Sequence, residues 1–189
     1  LFRVLCGITA PTAGRVAVRG QFMPLIALGA GFNAELTGRE NLFLSGAIQG
    51  FPARLILERL DELVAFSGLH DALDTPIKLY SSGMRARLGM SLALTLMPDI
   101  MFIDEVLAVG DAAFRDKCIA KIEERKAQGG TLLFVSHAES LVERICERAI
   151  WLHRGCLLRD GTTADVLRDY HAALRREASG DAQEGADNG

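Results

Sequence analysis

The sequence predicts an α/β fold: a mainly parallel sheet with a helical subdomain inserted ahead of its central strand. Three observations carry this expectation. First, Asp99-Ile100-Met101-Phe102-Ile103-Asp104-Glu105 is an apolar run of strand length that ends abruptly in two adjacent carboxylates, and a strand buried inside a parallel sheet reads as such a run. Second, Thr131 to Val135 repeats the pattern after a helix-length stretch, which gives strand-helix-strand. Third, the chain from about 37 to 97 carries helical rather than strand periodicity.

The chain of 189 residues is long enough to bury a full core. Its 49% hydrophobic content fits a globular protein. No uninterrupted apolar run approaches the roughly 20 residues of a membrane helix. A net charge of -3 argues against a generally basic nucleic-acid binder, so no nucleic-acid partner is expected. Cys6, Cys118, Cys146 and Cys156 form no CxxC pair and no zinc-ligand spacing; they read as small buried hydrophobes, which suits a reducing cytoplasm.

Leu1 to Leu5 reads as the middle of a helix ended by Gly7, without an initiator methionine or a cap, so the sequence reads as a fragment that has lost its N-terminus. Pro11-Thr12-Ala13-Gly14 is a turn. Arg15 to Arg19 alternates and is expected as a strand, and Phe22 to Leu28 as a second, ended by Gly29-Ala30-Gly31. Thr37 and Glu40 form a capping box for a helix to about Gln49, broken by Gly50-Phe51-Pro52. A further helix is expected over Ala53 to Phe66, with Ile56, Leu60, Leu63 and Val64 inward. After the Leu73–Pro76 loop, a helix follows Tyr80-Ser81-Ser82-Gly83-Met84, with Met84, Leu88 and Leu92 on one stripe, and runs to Pro98.

Beyond the opening strand, Val106 to Asp111 is a loop, Ala112 to Ala127 a helix, and Gln128-Gly129-Gly130 its end. Thr131 to Val135 is a short buried strand leading into Ser136-His137. Ala138 to Arg148 is helical with Leu141, Val142 and Ile145 inward. Ala149 to His153 and Cys156 to Arg159 form a hairpin turning at Arg154-Gly155. Thr162 or Thr163 caps a last helix to about Arg176, and residues 177–189 read as a disordered polar tail.

Ligands gather beyond the carboxyl ends of parallel strands. Asp104 is therefore placed near a magnesium ion and Glu105 where it can polarise a water, or else the two form a solvated acidic turn. Ser81-Ser82-Gly83 opens a helix, whose free first-turn N–H groups make either an anion site or an ordinary serine N-cap. His137 ends a strand, where it either bonds a phosphate oxygen or is structural. Asp111 is a further carboxylate or a helix N-cap. His70, His153 and His171 show no partner pattern and are expected at the surface.

The order of these features resembles the ATP-binding subunit of an ABC transporter, from Leu1 to about Tyr170. Tyr80 to Met84 is similar to the signature motif usually written LSGGQ, with Ser81 and Gly83 retained. Ile100 to Glu105 resembles the Walker B strand, Asp111 the D-loop aspartate and His137 the switch histidine. Leu28-Gly29-Ala30-Gly31-Phe32, Glu35 to Asn41 and Asp104 to Asp111 further resemble the branch that exports O-antigen, capsule and teichoic acid. The resemblance implies a P-loop NTPase-like (RecA-like) core, with residues 1–176 forming the ATP-binding domain and about 37–97 its helical subdomain.

The family's phosphate-binding loop, GxxxxGK(S/T), and its adenine-stacking aromatic do not occur in the sequence. Leu1 matches the helix directly after that loop, which places the truncation there. The coupling glutamine would fall at Ala27 or Leu28, neither of which coordinates magnesium, and Gln21 is too early. The resemblance implies a cofactor pair of ATP and Mg2+, with Asp104 on the metal, Glu105 as general base and His137 on the γ-phosphate. Ser81, Ser82, Gly83 and Met84, with Asp111, would bind nucleotide held by a second subunit in a head-to-tail homodimer. Hydrolysis would power export of a polysaccharide or lipid-linked glycan through separate transmembrane permease subunits, at the cytoplasmic face of the inner or plasma membrane. The fragment alone is expected to be inactive. A soluble ABC-type ATPase not coupled to transport and an inactive remnant are the alternative readings.

Overall fold

A computed structural model describes residues 1–24, 31–96, 98–104 and 111–184. It contains two compact units, Leu1–Val135 and Ser136–Gly189.

In the first unit, β1 (Phe22–Pro24), β2 (Ile100–Asp104) and β3 (Thr131–Val135) form a parallel sheet in the order β1-β2-β3. Phe22 faces Ile100, and Asp104 pairs with Val135 at the carboxyl end. Asp99 gathers the feet of the three strands: its carboxylate accepts the Gln21 N–H at 2.9 Å and its carbonyl accepts the Thr131 N–H at 3.0 Å. Met101, Phe102 and Ile103 are buried. Phe102 takes the edges of Phe2, from α1 (Phe2–Leu5), and Phe22, at centroid distances of 5.5 and 5.8 Å.

The helical insertion is as expected in place and differs in detail. α2 (Gly38–Ile48) is opened by the capping box: the Glu40 N–H donates to the Thr37 hydroxyl at 3.2 Å, and the Thr37 N–H donates to the Glu40 carboxylate at 2.8 Å. The single helix expected over Ala53 to Phe66 is two, α3 (Ala53–Glu58) and α4 (Leu60–Ser67), because Arg59 leaves helical geometry at φ -105°, ψ 5°. Ile56, Leu63 and Val64 are buried as predicted, while Leu60 is half-buried. α5 (Ser82–Leu96) is buried from Leu88 onward on every side, so its one-stripe reading was too narrow. Buried Asn41 ties the insertion together, accepting the Asn33 N–H at 2.7 Å and donating to the carbonyls of Asn33, Leu36 and Thr37. α6 (Ala112–Ala127) then leads to β3, ended by Gln128 and by Gly129 at φ +84°.

Thr37→Ala should destabilise the first unit by about 1 kcal/mol, as loss of a threonine N-cap does. The Thr37 N–H, followed by the Thr37 hydroxyl, holds the Glu40 carboxyl below its ordinary range. Its contribution is therefore present above the unfolded carboxyl range and lost as pH falls through the folded one. Urea unfolding at stepped pH should show the gap between the two proteins narrowing in acid; a gap that widens would contradict the box.

Three strand expectations change. Residues 15–19 form no strand: they are mostly exposed and pair with nothing among the described residues, and alternation without a partner edge does not make a strand. The strand expected over Phe22 to Leu28 is present at Phe22–Pro24, and residues 25–28 lie outside the described residues. β3 is half-buried rather than buried, being an outer strand of the described sheet.

The second unit contains α7 (Glu139–Ile145), β4 (Arg148–His153), β5 (Cys156–Thr162) and α8 (Thr163–Glu184). The hairpin turns at Arg154 and Gly155, both at positive φ. β5 runs beyond the expected Arg159, and α7 stops short of Arg148, because Arg148 joins the ladder opposite Thr162 and grips Asp160 with two hydrogen bonds of 2.8 and 2.6 Å. The two candidate caps divide the work. The Thr162 hydroxyl accepts the Asp165 N–H, and the Thr163 hydroxyl donates to the Cys146 carbonyl at 2.7 Å. α8 continues to Glu184 where a disordered tail was expected from 177; Glu177, Ala178, Ala182, Gln183 and Glu184 are strong helix formers and no proline interrupts them. His171 is exposed, as expected, and lies 2.6 Å from the Glu139 carboxylate.

Cys118 is the fully buried cysteine, its thiol pushed up to about 12 by desolvation; Cys6 and Cys146 are half-buried, and Cys156 is exposed, against the expectation for it.

Candidate nucleotide site

Two structural devices in the first unit carry the candidate residues. The first is the carboxyl end of β2. The ladder with β3 runs to the last residue, so Asp104 is held by backbone pairing with Val135 while its half-buried side chain leaves the core. Among the described residues its carboxylate has no hydrogen-bond partner. Glu105 lies outside the described residues, as do Ala27 and Leu28.

The second device is the start of α5. The Ser81 hydroxyl accepts the Met84 N–H at 3.1 Å, and the Ser81 carbonyl accepts the Arg85 N–H. Ser81 is thus an N-cap, as one of the two readings held. The N–H groups of the first turn have no partner inside the helix itself. Ser81 and Ser82 are exposed, with Gly83 and Met84 half-buried. A β-carbon placed on Gly83 would meet only the Ser81 hydroxyl, at an ordinary 3.8 Å. No packing among the described residues demands glycine there.

Asp111 joins these devices. One carboxylate oxygen accepts the Phe114 N–H at 2.8 Å, capping α6, and the other accepts from the Arg87 guanidinium in α5. The Phe114 N–H, and after it the charge of Arg87, hold the Asp111 carboxyl below its ordinary range. Both oxygens are therefore engaged within the chain. Arg87 was missed in the sequence, although a signal existed: it stands four residues after Gly83, and with Arg85 it is one of two charges in α5.

His137 belongs to the second unit and is exposed. The adjoining Ser136 hydroxyl accepts the Ala138 N–H at 3.0 Å, fixing the turn into α7. The structure thus ties Asp111 to Arg87 in the second turn of α5 and holds Asp104 at the strand end.

The residues present fit a magnesium nucleotide. Magnesium takes one or two carboxylates and fills its shell with phosphate and water, so a lone unpartnered Asp104 at a strand end suffices. Among the described residues no cluster of three or more metal-ligating side chains occurs. No helix among them is long and apolar enough to cross a membrane.

No family model matches the chain. It is 42% identical over 177 residues to the ABC transporter protein AbcA of Aeromonas salmonicida, spanning 94% of this chain and 58% of AbcA. It is 43% identical over 171 residues to the O-antigen export system ATP-binding protein RfbB of Klebsiella pneumoniae, spanning 90% of this chain and 70% of RfbB. It is also 43% identical to the teichoic acids export ATP-binding protein TagH of Enterococcus faecalis, of which it spans 39%. A solved ATP-binding subunit of an ABC transporter superposes with a TM-score of 0.77 at 24% identity, covering 90% of this chain and 75% of that one, which shows the shared fold. The chain belongs to the ATP-binding proteins of ABC transporters, in the branch that contains the O-antigen and teichoic acid export proteins.

Proposed function

We propose that the protein containing this chain binds and hydrolyses ATP to drive export of a polysaccharide or lipid-linked glycan through separate permease subunits. It works as a head-to-tail homodimer, peripheral to the cytoplasmic face of the membrane. The observation that supports this reading is the helix start at Ser81–Gly83, with both serines exposed and a glycine whose added β-carbon would meet only the Ser81 hydroxyl among the described residues. A capped helix start with open backbone is an anion site, and a phosphate held by a second subunit is the anion it suits.

Phosphoryl transfer asks the protein mainly for positioning and charge neutralisation. Asp104 would hold Mg2+, which supplies charge neutralisation at the phosphates when bound. Glu105 takes the proton of the attacking water, His137 donates a hydrogen bond toward the terminal phosphate, and Ser81, Ser82 and Gly83 donate hydroxyl and backbone N–H groups to the partner's nucleotide.

Gly83→Asp tests the anion site. The new β-carbon has room, so the fold is expected to survive, while a carboxylate beside phosphate is repulsive. In the full-length gene product, ATP turnover should fall at least about tenfold, the equivalent of roughly 1.4 kcal/mol, with the thermal midpoint unchanged. Parental turnover by this variant would remove the α5 start from the nucleotide site.

A further inference from the structure

Tyr80 stands one residue before the Ser81 cap, where the signature motif it resembles, usually written LSGGQ, carries a leucine. Tyr80 is 4% exposed, and its hydroxyl donates to the Ala72 carbonyl at 2.6 Å. Burial, and after it the charge of Asp74, push the phenol above its ordinary range, so it keeps the proton that it donates. Gly38, the first residue of α2, lies against this hydroxyl. A β-carbon there would overlap the Tyr80 hydroxyl oxygen, and would come within 3.0 Å of the Leu73 carbonyl oxygen and 3.2 Å of Cζ of Tyr80. The Gly38 backbone is helical, so space rather than conformation calls for glycine. The two chain segments are sewn together on both sides of this point. The Gly38 and Arg39 N–H groups donate to the carbonyls of Thr75 and Leu73, and the Ile77 and Lys78 N–H groups donate to those of Leu36 and Ala34.

We propose that Tyr80 is a positioning residue for the Ser81–Gly83 turn, its hydroxyl keyed into the gap that Gly38 leaves beside the Ala72 carbonyl. This rests on the function proposed above. A leucine at 80 would fill the apolar seat but reach no acceptor. The tyrosine is held at the far end of its ring as well as at its backbone, and Ser81 follows by a single peptide bond. The Tyr80–Gly38 fit therefore sets where the cap of α5 stands. It acts on turnover, for which the turn must meet the partner's nucleotide, and not on the nucleotide that a subunit holds by itself.

The test uses the full-length gene product with Tyr80→Phe, Gly38→Ala and the Gly38→Ala/Tyr80→Phe double variant, reading kcat by phosphate release and ADP affinity by calorimetry. Phenylalanine keeps the ring and removes only the hydroxyl, and the Thr75 N–H, at 2.9 Å, still satisfies the Ala72 carbonyl. Tyr80→Phe should lower kcat for ATP about fivefold, with ADP affinity within about twofold, since one hydrogen bond is lost. Gly38→Ala displaces the ring and should lower kcat at least about tenfold, because a misplacement of about 1 Å costs up to about 10²-fold. Removing the hydroxyl makes room for the new methyl, and contacting residues couple, so the double variant should outpace Gly38→Ala and match Tyr80→Phe. A purely structural role would lower ADP affinity and kcat together. Parental kcat in Tyr80→Phe, ADP affinity that falls with kcat, or a double variant no faster than a folded Gly38→Ala would each overturn the inference. If Gly38→Ala does not fold, a double variant that also fails to fold overturns the keyed fit and the inference with it. A parent protein that hydrolyses no ATP overturns the function reading as well. An active parent with an unaffected Tyr80→Phe overturns this inference alone.

Discussion

Glu105→Gln is expected to cut ATP turnover by about 10²- to 10⁴-fold, the usual worth of a positioned general base. Glutamine keeps the shape of the side chain and can still orient a water, but it cannot accept the proton. Binding should therefore persist while the chemical step fails. Phosphate release in the full-length gene product measures the loss, and size-exclusion chromatography with ATP and magnesium should show the dimer accumulating, since hydrolysis no longer reopens it. Turnover at the parental rate would take the role of base away from Glu105.

Phe102→Ala should be the most damaging core substitution in the first unit, costing about 3–5 kcal/mol. Phe102 is 1% exposed, sits at the centre of β2, and packs edge-on with Phe2 and Phe22. Removing it empties the space between α1 and the sheet and also costs the aromatic edge contacts. Two phenylalanines would then face a cavity beneath the strand that presents Asp104. Chemical denaturation of the chain, read by circular dichroism, should register the loss, with Phe102→Leu costing much less. A cost below about 1 kcal/mol for the alanine variant would mean that the sheet is not packed on this residue.

The two substitutions act on one strand at different levels. Phe102 is buried at the centre of β2; Asp104, two residues on and on the same face, is half-buried because the strand ends there, and it is the residue proposed for Mg2+. An apolar run followed by carboxylates was legible because burial and strand length both leave traces in composition. The capping box at Thr37 and Glu40 and the bounds of α6, Ala112–Ala127, were legible for the same reason: caps and glycine stops are local chemistry. Residues 15–19 misled because alternation records only a willingness to be a strand, and no partner edge among the described residues meets them. The break at Arg59 left no proline or glycine to announce it, and Arg148 was assigned to a helix until its pairing with β5 claimed it.

The site divides along the same line. Ser81, Gly83, Asp104, Asp111 and His137 were found as candidates because each stands at the junction of an element, where local sequence marks ends and caps. Arg87 was not, because nothing near it in the chain says what its guanidinium reaches. Its partners Asp111 and Phe114 lie 24 and 27 positions away, at the cap and in the first turn of α6.

By itself the sequence determined most of the elements and their order, the strand that ends at Asp104, and the serine-glycine helix start, since these follow from hydrophobic period and capping. Only the tertiary structure decided that Asp111 has both oxygens engaged at home, that a β-carbon on Gly83 would meet only the Ser81 hydroxyl among the described residues, and that Phe114 of α6 lies between Arg87 of α5 and Phe66 of α4. Those are long-range contacts, whose loop-closure cost is met by the packed core and not by any local preference.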